Sequence, residues 1–112
     1  MEISEFEKSK VFTIVDILEY AVHSVVSKAI IKKITGNISI AAFNAGEAQT
    51  AKVSPFDTFI LIIDGIAEIV INNSSNTLKT GQSIIIPAHA HNTIKANEQF
   101  KMLSGFIKSG YE

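Results

Sequence analysis

From Asn37 onward the sequence is cut into short apolar pieces: "NISIAAF", "TFILII", "IAEIVI", "QSIIIP", "NTIKA" and "FKMLSGFI". Turn-forming residues close each one, as in "NAGE", "DG", "NNSSN" and "KTG". Isoleucine occurs 19 times in the 112 residues, and a β-branched side chain fits a pleated, half-buried surface better than a helix. Short strands at intervals of roughly 8–12 residues predict a sandwich or barrel. Asp64-Gly65 predicts a tight hairpin between two of these strands, because glycine tolerates a positive φ.

The segment before Asn37 sends two signals. In "VFTIVDILEYAVHSVV", residues Val11, Ile14, Leu18, Ala21 and Val25 follow helical spacing. Its β-branched content argues for extended chain, so we expect strand with one helical turn near Asp16–Tyr20. Within "TFILII", alternation puts Thr58, Ile60 and Ile62 on one face and Phe59, Leu61 and Ile63 on the other. A strand apolar on both faces is expected to be covered on both. The barrel interior supplies one cover and a partner subunit the other, which predicts a homodimer.

A chain of this length makes one domain. We expect a polar segment over 1–10, a barrel over 11–108 and a tail over 109–112. Cysteine is absent, which removes disulfides, thiolate nucleophiles and thiolate-bound zinc and suits a reducing cytoplasm. The apolar runs are too short to span a membrane, and "MEISEFEKSK" has no signal-peptide core. The net charge is -1, and all ten basic residues are lysine. Bidentate reading of phosphate or guanine relies mainly on arginine, so no nucleic-acid partner is expected.

Gly46, Gly65, Gly81 and Pro87 fall into a pattern that resembles a small single-domain cupin, an all-β jelly-roll (double-stranded β-helix) barrel. The general family carries G-x5-H-x-H-x3-E-x6-G and G-x5-P-x-G-x2-H-x3-N. Laid on Gly46, the first spacing reaches Lys52, Ser54, Thr58 and Gly65; laid on Gly81, the second reaches Pro87, His89, Asn92 and Ala96. The glycines of the first motif and the glycine and proline of the second match without gaps. The resemblance covers Val11 to Lys108, and the wording "AGEA…PFD…DGIAEI…GQSIIIPA…IKA…FKML" is similar to that of small stand-alone bacterial cupins.

Metal-binding cupins hold a divalent ion with three histidines and a glutamate. Here those four positions carry Lys52, Ser54, Thr58 and Asn92. Imidazole and carboxylate suit such ions; an ammonium repels them. Two unit charges ~4 Å apart at an effective dielectric near 20 repel by about 4 kcal/mol, and a divalent ion roughly doubles that. We therefore expect no family metal and no cofactor. His91 neighbours Asn92, so it points outward if Asn92 points inward. His89 stands at the family's glycine position, in the turn after Pro87, with room at the barrel mouth; a shifted register would bring His91 inward instead. His23 is expected at the surface or in an interface.

The candidate pocket residues are thus Lys52, Ser54, Thr58, His89 and Asn92, set against isoleucine walls. Three readings stay open. The first is a binding or sensing module for a small, anionic metabolite that pairs with Lys52. The second is a metal-free isomerase, epimerase or lyase acting on a carbonyl or sugar-like compound, with His89, His91 or a desolvated Lys52 as general base. The third is a structural dimerisation barrel. Beside all three stands local structure alone. Lys52 can extend into solvent, Ser54 can shape the turn before Pro55, Thr58 suits a strand, and Asn92 can bond backbone. Asp57 is expected to bond nearby amides at the strand start.

Overall fold

The computed structural model describes residues 6–51 and 53–108. Among these residues, eight strands follow a 3-10 turn at Ile14–Asp16. They are β1 (Val25–Lys33), β2 (Gly36–Phe43), β3 (Ala48–Ala51), β4 (Thr58–Ile71), β5 (Ser74–Lys79), β6 (Ser83–Ile86), β7 (Asn92–Lys95) and β8 (Phe100–Ile107). All pairings are antiparallel. One sheet runs β1–β2–β8–β4–β6, using the first half of β4; the other runs β3–β7–β4–β5, using the second half. The expected all-β architecture is what the chain adopts, with β4 as the strand common to both sheets.

The predicted hairpin at Asp64-Gly65 does not form. β4 continues through it for 14 residues. Its first half pairs in one sheet and its second half in the other, so it bends between them. The bend is a bulge between Ile62 and Asp64, followed by Gly65 at φ +89°. A Cβ on Gly65 would overlap the Gln99 carbonyl oxygen. Thr80 fixes the bend: its Oγ1 accepts a hydrogen bond from Gly65 N (2.9 Å) and donates to Gly65 O (3.2 Å). Glycine was needed for close approach and an unusual φ, and both serve a change of sheet rather than a reversal. The true reversal comes at Asn72-Asn73, whose φ values of 48° and 71° suit a two-residue hairpin turn. Strand β5 therefore occupies polar residues, from "NNSSN" toward "KTG", that read as turn in the sequence.

The bulge also swaps the inward set of β4. Ile60 and Ile62 are buried before it, Ala67 and Ile69 after it. With Phe43, Phe100, Leu78, Ile86, Ile94 and Met102 they form one core between the sheets. Phe43 and Phe100 stack with centroids 4.6 Å apart.

Strand was expected in the segment before Asn37; β1 supplies it from Val25 onward, but among the described residues no strand precedes Val25. The 3-10 turn lies slightly upstream of the predicted helical turn. The segment crosses the outer face of the first sheet instead of pairing with it. Lys101, whose register partner is Ala42, donates from Nζ to the Val15 carbonyl (2.6 Å) and lies over the Tyr20 ring. Tyr20 donates to Asp64 Oδ2 (2.5 Å), and Phe6 N bonds Ile30 O (3.2 Å). Under this strap the outward-facing Ile40 and Ala42 are 2% and 0% exposed. The segment's mixed pattern thus reflects packing along an irregular path.

Candidate functional site

Between the two sheets lies a cavity of about 410 Å³, within the range of small-ligand sites. Alternation builds its wall strand by strand. Ser39 and Ala41 point in from β2, Met102 and Ser104 from β8, Thr58 and Ile60 from β4, and Asn92 and Ile94 from β7; Val25, Ser27 and Gln49 add to the wall. The loop before β4 contributes Ser54 and Phe56, and the turn after β6 contributes Pro87 and Ala90.

The rim is tied together by backbone. His89 N donates to Ser54 O (2.6 Å). Asp57 Oδ1 accepts from Ala88 N (2.8 Å). Asp57 therefore does bond an amide, but one on a neighbouring turn 31 positions along the chain, not one close in sequence. Ser54 Oγ accepts from Phe56 N (3.1 Å) and bonds Phe56 O (3.3 Å), so its turn-shaping role and its place in the wall coexist. Ser39 and Ser104 hydroxyls bond each other across the sheet at 3.2 Å. Asn92 is the buried polar residue of the group, 8% exposed, and its Oδ1 has no hydrogen-bond partner among the described residues.

Of the five residues singled out by spacing, the structure brings Ser54, Thr58 and Asn92 to the cavity. His89 sits exposed in the turn after Pro87 at φ +67°, outside the cavity lining. Lys52 lies outside the described residues. His91 is exposed on the other side of its strand entrance, and its N–H donates to Asn72 Oδ1 (3.1 Å). His23, also exposed, lies in the strap. Spacing alone missed Ser27, Ser39, Gln49 and Ser104. The alternation Phe100, Met102, Ser104 would have found the last.

The donor chemistry does not fit the metal that this type of barrel often carries. Ser54, Thr58 and Asn92 offer neutral hydroxyl and amide groups at positions where imidazole and carboxylate are needed. Among the described residues no three histidine, aspartate or glutamate side chains come together as a metal-holding group.

The same fold occurs in solved structures. A conserved protein of unknown function from Streptococcus pyogenes is 25% identical with a TM-score of 0.86, over 92% of this chain and 90% of that one. A cupin superfamily protein from Desulfitobacterium hafniense is 23% identical with a TM-score of 0.87, over 97% of this chain and 100% of that one. A cupin 2 conserved barrel domain protein from Leptotrichia buccalis is 26% identical with a TM-score of 0.83; the match covers 87% of this chain and 47% of the Leptotrichia protein. No protein-family model and no curated protein matches the sequence. The chain is a small cupin-like domain with a jelly-roll barrel fold. No helix among the described residues is long and apolar enough to cross a membrane.

Proposed function

We propose that this barrel is a binding or sensing module for a small molecule, held in the cavity between its sheets without the family's metal. One observation carries the reading. Three positions that the motif spacing assigns to metal ligands still line a cavity of about 410 Å³, now with neutral hydrogen-bonding groups. An apolar wall with a few placed polar groups is the usual make-up of a small-ligand site. The isomerase or lyase alternative needs a general base at the cavity, and His89 and His91 lie exposed outside its lining. Its one remaining candidate base is Lys52. The cytoplasm, where a cysteine-free chain is at home, is the proposed location.

Thermal-shift screening against small acids, sugars and amides tests the reading. A ligand at about a hundred times its Kd adds about 2.7 kcal/mol, a rise of roughly 10 °C for a domain of this size. The rise should vanish when Thr58→Val and Asn92→Leu are combined in a folded chain. A screen in which no compound shifts the transition would remove the proposal.

A second reading concerns assembly. The row Ile31–Ile38–Gly105–Phe59–Ile85 is in register across five strands of the first sheet, on its outer face. Its four large side chains are 43%, 38%, 41% and 59% exposed. Contiguous apolar surface of this kind marks interaction sites, and a twofold pair of identical copies is the commonest way to cover one. We propose a homodimer through this face. Sedimentation at micromolar concentration should show the pair; a monomer throughout would refute it.

A further inference from the structure

Resting on the reading that the cavity holds a small molecule, we infer that its ligand is uncharged and presents hydroxyl or amide groups to Asn92 and the surrounding hydroxyls. The polar groups of the lining are serines, Thr58, Gln49 and Asn92, and no charged or imidazole side chain is among the described residues there. A carboxylate entering such a space would lose its hydration with no described cation to replace it. An ammonium would find no carboxylate among the described residues of the lining. Unpaired charge is the most costly thing to bury, so the lining disfavours both signs and leaves a neutral polar ligand.

Asn92 gives that ligand a point of attachment. Its side chain is more than nine-tenths buried, lines the cavity, and leaves a carboxamide oxygen without a donor. Buried acceptors are normally satisfied. The carboxamide torsion is soft, so rotation about it can turn the oxygen toward a donor on the ligand. The Ser39–Ser104 pair adds adaptability, because either hydroxyl can be the donor. Side chains that both give and accept match ligand groups that do the same, which hydroxyls and primary amides do. Ile60, Ile86, Ile94 and Met102 supply the apolar part of the wall. The ligand class is therefore a small neutral molecule with one apolar face and a hydroxyl or amide edge. This departs from the anionic metabolite that Lys52, considered alone, would attract.

The experiment compares shape-matched probes on the full chain at neutral pH. One set is benzamide, benzoate and benzylamine; the other is glucose, glucuronate and glucosamine. Binding is followed by chemical-shift changes of the Thr58, Asn92 and Ser104 amides. In at least one set the neutral member should bind about tenfold or more tightly than its charged counterparts, with Asn92→Leu losing about tenfold. Thr58→Val provides the same test if Asn92→Leu fails to fold. Tightest binding by a carboxylate, abolished by Lys52→Met, would overturn the inference and leave the binding module standing. No perturbation by any probe at millimolar concentration would bring down both.

Discussion

The two faces of the first sheet are made by the same strands and invert the usual arrangement of polar and apolar residues. Near the cavity, hydroxyls point in: Ser39, Thr58 and Ser104. Their immediate sequence neighbours Ile38, Phe59 and Leu103 lie on the outer face. Toward the closed end the inner face becomes hydrocarbon, with Phe43, Phe100 and Ile62 fully buried. The outer face there is roofed by the chain's own strap, which seals Ile40 and Ala42. One half of this sheet is therefore a conventional two-sided core. The other half turns polar groups inward and apolar ones to its surface. Alternation decides which face a residue takes; it does not decide what covers that face.

Substitutions can break or sharpen this contrast. Phe100→Ala, at the closed end, should cost about 3–5 kcal/mol, read from the urea midpoint, because it removes the ring stacked on Phe43. A loss below about 1 kcal/mol would mean the closed end is not the stabilising half.

Tyr20→Phe should cost roughly 1 kcal/mol, a hydrogen bond to a carboxylate discounted for partial exposure. Its effect should fall on the strap, seen as faster amide exchange at Ile40 and Ala42. Burial, then the hydrogen bond to Asp64, then the negative charge of Asp64 push the Tyr20 phenol well above its ordinary range. A raised pKa contributes stability that is fully present below the ordinary tyrosine value near 10. That contribution is lost as pH rises from there through the higher folded value. The strap should therefore loosen in alkali in the native chain, and the Tyr20→Phe chain should lack that alkaline step.

Phe59→Glu, on the bare half of the outer face, should change the stability of the single chain by less than about 0.5 kcal/mol. It should convert any pair to monomers in sedimentation; a pair that survives the added charge would place the interface elsewhere. Smallest of all, Ser39→Ala with Ser104→Ala should leave stability nearly unchanged, since both partners of one hydrogen bond leave together. The same double change should weaken binding of a neutral ligand.

The sequence by itself determined the barrel. Its short β-branched pieces and turn residues left a sandwich or a barrel, because strand period and turn chemistry are local, and the resemblance carried by its framing glycines and proline selected the barrel. It also determined that Ser54, Thr58 and Asn92 would be candidates, since motif spacing survives when the ligand residues themselves have changed. What it could not determine was where a strand bends instead of reversing. Asp64-Gly65 satisfies a hairpin and a sheet-changing bend equally well, and only Thr80 and the close backbone of Gln99, both distant in sequence, select the bend. Likewise β3 and β5 are polar segments made into strands by β7 and β4 beside them, because backbone pairing is a long-range contact. The strap over Ile40 and Ala42, the serines gathered from β1, β2 and β8, and the bare row from Ile31 to Ile85 all depend on which strands become neighbours. Adjacency across a sheet is a property of the folded chain, and no local pattern encodes it.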